Sequence, residues 1–307
     1  MKIVALAGGV GGAKLVDGLA QLLSPENLTI IVNTGDDFKY RGLYISPDLD
    51  TVCYTLAGLA NPDTGWGRNG ETFQVLENLQ KLGVLKWFHL GDQDLATHIE
   101  RTYLINEGLF LSQITRSFCH SWGVEYSILP MSDQPVSTMV DTIDEGELPF
   151  QEYFVRRKCE PKVKGFRFAG IDAAVPAPGV IEAIMQADSV VVCPSNPWVS
   201  IDPICAVNGL CDILATKINV AVSPIIGNRT FKGPAAKMFI ELGIQPSPLA
   251  VARHYKKFLT GFILDKMDEN LKQEMSVPTL ATKILMKDRD DRRRLAQDVL
   301  NLIQSLQ

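Results

Sequence analysis

Short apolar runs alternate with amphipathic stretches along most of the chain. Lys2–Ala7 is a compact β-rich run, followed by a glycine cluster and an amphipathic stretch to Leu23, where Ser24-Pro25 ends it. Leu28–Asn33 reads as a buried strand of the kind a parallel sheet needs when both its faces are covered. Val124–Leu129 reads as a strand ending at Pro130. Ser189–Cys193 and Asn219–Ser223 are two more buried runs that end at prolines, and Gly261–Asp265 is a last short strand. Between them, Glu71–Leu82, Asp94–Asn106, Gly233–Leu242 and Arg292–Leu306 have helical spacing, and another helix begins near Leu49. Pro234 falls in a first turn, where its missing N–H costs nothing. The alternation predicts an α/β fold: a Rossmann-like, mostly parallel sheet with helices on both faces.

Residues 131–178 break this rhythm. They hold Pro135, Pro149, Pro161, Pro176 and Pro178 and short alternating pieces at Glu152–Arg157 and Gly165–Ala169. The reading is a small, β-rich inserted lobe of α+β type, with 1–130 and 179–307 forming the nucleotide-binding core. A length of 307 residues suits one large domain with an appended lobe, since a single core stops growing near ~250–300 residues.

Composition narrows the classes. The longest apolar runs are too short to span a bilayer, and Lys14 and the glycines interrupt any signal-like segment at the start. The net charge is −5, which disfavours a nucleic-acid partner. Cys53, Cys119, Cys159, Cys193, Cys205 and Cys211 include no Cys-x-x-Cys pair, and with four histidines they make no zinc spacing. Reduced thiols in a cytoplasmic protein are expected.

In open α/β sheets ligands sit beyond the C-terminal ends of the strands. After the first strand comes Gly8-Gly9-Val10-Gly11-Gly12-Ala13-Lys14. Glycines let backbone approach a phosphate, and a helix N-terminus offers free N–H groups. Gly9, Gly11, Gly12 and Lys14 are therefore candidate phosphate contacts. The segment is neither a strict dinucleotide fingerprint nor a Walker A loop, and a tight turn without ligand is the alternative. After the second strand come Asn33-Thr34-Gly35-Asp36-Asp37 and then Ser46-Pro47-Asp48-Leu49-Asp50. Four carboxylates beside a phosphate site repel the substrate unless a cation sits between, so Asp36, Asp37, Asp48 and Asp50 are candidate Mg²⁺ ligands. Asp48 also reads as a helix cap, and Asp50 as a first-turn acid favoured by the helix dipole. Asp92 and Asp94 follow His89, and His98 shares a helix face with Asp94, so this cluster is either structural or placed against metal or substrate. Ser195 and Asn196, and Ser223, Gly227 and Asn228, sit in proline-stiffened loops after late strands; with Asn33 and Thr34 they are candidate nucleotide contacts, or plain turn formers. The charged run 287–294 reads as a solvated helix start with i,i+4 pairs. The tryptophans read first as core packing; among them Trp66, between two glycines, best suits a stacking wall.

Together the segments GGVGGAKL (8–15), NTGDDF (33–38), SPDLDTVCYTLAG (46–58), WFHLGDQDLATH (87–98), ILPMSDQPV (128–136), FQEYFVRR (150–157), PSNPWVSIDPI (194–204) and SPIIGN (223–228) resemble the 2-phospho-L-lactate transferase family of coenzyme F-420 biosynthesis. They span most of the chain in family order. The resemblance implies a Mg²⁺-dependent enzyme, usually a homodimer. It implies transfer of 2-phospholactate, or phosphoenolpyruvate in many bacterial members, from a guanosine diphosphate ester to the ribityl hydroxyl of 7,8-didemethyl-8-hydroxy-5-deazariboflavin (Fo), releasing GMP. By motif, Asp50 and His89 match Fo-contacting positions, and Asp92 and Asp94 are placed with them. His89 and Gln93 stand where relatives carry basic residues. Asp50, Asp48 and Asp37 are assigned to catalysis. The rivals are a UDP-sugar-binding regulator on the same core, disfavoured by Pro47–Thr51, and a nicotinamide dehydrogenase, disfavoured by the missing third glycine.

Overall fold

The computed structural model describes residues 1–85, 87–227, 229–230 and 234–307. Seven strands form one sheet in the order Thr279–Thr282, Gly261–Asp265, Ile218–Val222, Ser189–Val192, Ile3–Ala7, Leu28–Val32, Ser127–Pro130. All six neighbouring pairs are parallel. The first strand is interior: Ile3 registers with Leu28 on one side and with Ser189 on the other. The chain winds outward through Leu28–Val32 and Ser127–Pro130, then returns to the other side of the first strand. The reversal lies between Ile3–Ala7 and Ser189–Val192, and there a crevice opens at the C-terminal edge.

Both faces of the sheet are buried. Val4, Leu6, Val190, Val192, Ala221 and Leu264 point into one apolar cluster; Ile3, Ala5, Val191, Val220, Val222 and Ile263 point into the other. Continuous apolar runs are what this two-sided burial requires. Helices Gly9–Ala20, Pro47–Leu56, Leu111–Ser121 and Arg289–Leu306 contribute to the second cluster. Gly18 lets the first and last of these touch: a Cβ there would lie 2.2 Å from the Arg292 carbonyl oxygen. Gly18→Ala is expected to cost about 1–3 kcal/mol by overpacking, read as a lowered urea midpoint at constant slope.

The 131–178 segment contains a small sheet of its own, three antiparallel strands ordered Gly146–Pro149, Ser137–Thr142, Val163–Ala169. It has no separate core: Val136, Val140, Phe150, Tyr153 and Val163 join the cluster that holds Leu6 and Val192. Glu152–Arg156 is a π-helical turn rather than the extended piece its alternation suggests. Phe150 and Phe154, four residues apart, stack at 5.4 Å, and Tyr153 is fully buried, so the aromatic spacing is helical. Helix Leu111–Ser121 escaped hydropathy because Ser112, Thr115 and Cys119 lie on its buried face. Val180–Gln186 and the edge strand Thr279–Thr282 are too short for periodicity to declare them. Helix Ala235–Glu241 matches the sequence reading, with Pro234 as its N-cap; the predicted start at Gly233 lies outside the described residues. Among the described residues no helix is long and apolar enough to cross a membrane. All six cysteines are free.

Candidate functional site

A cavity of about 710 Å³ occupies the crevice. Gly9, Gly11, Asp36, Asp48, Asp50, His89, Asp94, Ser195 and Asn196 all line it, so most of the sequence candidates converge. Trp66, Phe88, Phe150 and Phe154 supply an apolar wall. Trp66 is half exposed there, whereas Trp87, Trp122 and Trp198 pack on Tyr40, Phe118 and Phe239 respectively. A smaller cavity of about 130 Å³ lies beyond the glycine loop and shares Gly11 and Asn196 with the first; Lys14 and Ser223 line it.

The glycines are demanded first by packing. A Cβ on Gly8 would lie 2.6 Å from the Ser200 Cβ, and one on Gly11 would lie 2.4 Å from the Pro194 carbonyl oxygen. Ser195 splices the two loops: its hydroxyl donates to the Gly8 carbonyl at 2.7 Å and accepts from the Gly8 amide at 3.2 Å. Ser195, read from sequence as a nucleotide contact, is thereby committed to the scaffold. So is Ser223, whose hydroxyl closes a turn on Ile225. The Asn196 side chain accepts from the Trp198 amide. Gly12 is buried against Ser195, and Lys14 donates to the Met286 carbonyl at 3.0 Å. Asn228 lies outside the described residues, and the Gly227 amide bonds Asp268.

Under the glycine loop sits an acidic pair. The Asn33 side-chain amide donates to Asp36 and to Asp48, each at 2.9 Å, and to the Val199 carbonyl at 3.1 Å. Asn33 is fully buried, and the buried Thr34 hydroxyl has no hydrogen-bond partner among the described residues; neither lines the cavity. Burial lifts the Asp48 carboxyl to about 6, against the opposing pull of Asn33 and the Gly9 amide. Burial, and then the charge of Asp48, push Asp36 well above the usual carboxylate range. Asp48 therefore stands at the mouth of the glycine loop with Asp36 beside it, and Asn33 is the amide between them. Asp37 is off the cavity lining. It accepts from the Ser46 hydroxyl at 2.7 Å, and burial holds its carboxyl well above the ordinary value.

Asp50 belongs to a different constellation. Buried Arg101 forms a two-pronged ion pair with it, Nη1 to Oδ2 at 3.0 Å and Nη2 to Oδ1. Arg101 Nη1 also lies 3.1 Å from His98 Nδ1. Tyr54 donates to Asp94 Oδ1 at 2.7 Å. Burial draws the Asp94 carboxyl up, but His98, Tyr54 and Arg101 outweigh that and hold it below the usual range. Arg101 and Tyr54 were not singled out in the sequence, although Asp94, His98 and Arg101 recur at i, i+4 and i+7 and the buried residues of their helix are all polar.

The sequence profile of the family described as 2-phospho-L-lactate transferase CofD matches residues 3–303. The chain belongs to that family. Phosphoenolpyruvate transferase of Streptomyces griseus is 42% identical, covering 100% of this chain and 99% of its own. 2-Phospho-L-lactate transferase of Methanosarcina acetivorans is 38% identical, covering 99% and 100%. A crystal structure of a UPF0052-family protein from Bacillus halodurans superposes with a TM-score of 0.65 over 97% of this chain and 98% of that one; at 16% identity it bears on the fold alone.

Within this member of the CofD family, the positions where the sequence differs from the expected pattern have found other work. Gln93 donates to the Gly70 carbonyl at 2.9 Å, tying down the loop before helix Gln74–Lys81. His89 is exposed at the cavity edge, with its ring edge-on to Phe73. Asp92, expected near substrate, is absent from the cavity lining. Its carboxylate accepts from the Thr72 hydroxyl and the Gln74 and Val75 amides and so caps helix Gln74–Lys81. Reciprocally, Glu71 accepts from the Gln93 and Asp94 amides, both at 2.8 Å, and caps helix Asp92–Asn106.

Proposed function

We propose that this CofD-family protein transfers a three-carbon phospho-acid, 2-phospholactate or phosphoenolpyruvate, from its guanosine diphosphate ester to the ribityl hydroxyl of Fo, releasing GMP, as a step of coenzyme F-420 biosynthesis. The observation that carries this reading is the pairing of a glycine loop with the buried Asp36–Asp48 pair, opposite an aromatic wall, in one cavity at the sheet's switch point. A flat tricyclic acceptor suits Trp66, Phe88, Phe150 and Phe154. The acidic mouth would repel a diphosphate donor unless a cation intervened.

Asp36 and Asp48 fit Mg²⁺. They are two buried carboxylates with only an amide between them, and a hard cation held by one or two carboxylates plus phosphate oxygens relieves both their burial and their mutual repulsion. Asp50 fits less well, since Arg101 already neutralises it, and Asp37 is turned to Ser46. The cation set proposed for this chain is thus Asp36 and Asp48. When bound, the ion supplies charge neutralisation at the transferring phosphorus. The protein's own part is positioning: the glycine loop for the donor, the aromatic wall for the acceptor.

The test incubates purified protein with Mg²⁺, Fo and each guanylated donor, then reads GMP release and product mass. Product from one donor names the acid. No GMP from either donor, together with binding of a UDP-sugar or of NAD, would replace this reading with one of its rivals.

A further inference from the structure

Asp94 and His98, on the helix face that also carries Arg101, line the same cavity but have no role in holding the donor or the cation described above. A guanidinium only donates hydrogen bonds. With Arg101 Nη1 3.1 Å from His98 Nδ1, that nitrogen accepts, and the ring proton of neutral His98 sits on Nε2. His98 is 1% exposed, and its Nε2 has no aligned hydrogen-bond partner; Asp94 Oδ1 lies 3.4 Å away. Asp94 Oδ1 is engaged by Tyr54, while Oδ2 makes no hydrogen bond among the described residues. A buried donor and a half-engaged carboxylate therefore stand side by side on the wall of the cavity.

We infer that Asp94, rather than Asp50, receives the hydrogen bond of the attacking hydroxyl, and that His98 and Arg101 are positioning residues acting through Asp94 and Asp50. This rests on the transferase reading. Both Asp50 oxygens are taken by Arg101, which also cancels its charge. Asp50, Asp94 and His98 have ligand atoms within 4.8 Å of one another. The fixed guanidinium beside them and the proton on Nε2 oppose a second cation there. In the step itself, the acceptor oxygen bonds to the phosphorus that carries the three-carbon acid. The P–O bond to GMP breaks, and GMP leaves with the electron pair. The hydroxyl proton passes to the Asp94 carboxylate and from there to water.

His98→Gln retains an N–H near the Nε2 position, and His98→Leu does not. His98→Leu is expected to lower kcat about 10²-fold with KM for Fo little changed, and His98→Gln to restore most of that loss. Asp94→Asn is expected to lower kcat by about 10²–10³-fold. The wild-type protein is assayed alongside with Mg²⁺, Fo and the guanylated donor; failure there would sink the transferase reading, and only a working wild type tests the residues. The inference is overturned if the two His98 variants lose turnover equally and in step with their urea midpoints, which is the behaviour of a packing residue. It is also overturned if Asp94→Asn turns over normally. A large rise in the Mg²⁺ concentration needed by the His98 variants would place a cation at this cluster instead, and would overturn it too.

Discussion

Asp48→Asn is expected to lower transfer from the guanylated donor by about 10³-fold at saturating Mg²⁺ while leaving the fold at least as stable. The two halves of this outcome have one cause. Asp48 is buried, and burial raises its carboxyl to about 6, above its value in the unfolded chain. Between those values the folded protein binds more protons than the unfolded chain, so stability falls as pH rises through the interval. The contribution is complete below the unfolded value and lost above about 6. Asp36, raised further by burial and then by the charge of Asp48, extends the window upward. In cation-free buffer the wild-type Tm should fall by several degrees between about pH 5 and pH 8. The fall should be shallower in the variant, and Mg²⁺ should restore only the wild type. Parallel pH profiles, or near-normal turnover in the variant, would remove Asp48 from the cation site.

Arg101→Met should give the largest stability loss of any side chain in the Asp50–Asp94–His98 cluster, about 3–5 kcal/mol. Arg101 is 2% exposed, and the Asp50 it clamps is 6% exposed. Removing the guanidinium strands a buried carboxylate that has no other Lys or Arg ion pair among the described residues, and that stranded charge, rather than the net strength of the pair, sets the size of the effect. Adding Asp50→Asn to Arg101→Met should therefore recover most of the loss, although the double variant has fewer charge contacts than either single one. Urea unfolding at constant slope reads all three. A single-variant cost below about 1 kcal/mol would mean that the pair behaves as a solvated surface bridge.

The strand-by-strand edge of the sheet was legible because buried parallel strands announce themselves as apolar runs and the loops after them hold the polar chemistry. That reasoning brought Gly9, Asp36, Asp48, Asp50 and Asp94 to one cavity. It could not separate the four acids by role. Asp48 and Asp50 are two residues apart on one helix, yet one meets Asn33 and the other Arg101. Those partners come from a distant strand end and a distant helix, and only the packed fold chooses between them. The same limit applies to Ser195. Its residue type suits a ligand, but its hydroxyl is spent on Gly8 across the switch point. Asp92 and Asp94 look equivalent in sequence, but two residues apart on one helix they point to opposite sides and meet different neighbours. The available clue was the polar stripe of Asp94, His98 and Arg101, since a helix that buries charge on its inner face has a partner waiting for it.

Helices Gln74–Lys81 and Asp92–Asn106 each take the carboxylate that satisfies their first turn from a residue at the other's threshold, Asp92 for one and Glu71 for the other. Neither end can come undone without stranding the other. The span between them delivers Phe88 and His89 to the cavity, so that part of the wall is put up or taken down in one piece. Gly91 is the hinge pin of the arrangement: a Cβ there would lie 2.1 Å from the Glu71 carboxylate carbon. A bulkier residue at 91 would push the Glu71 carboxylate off the Gln93 and Asp94 amides.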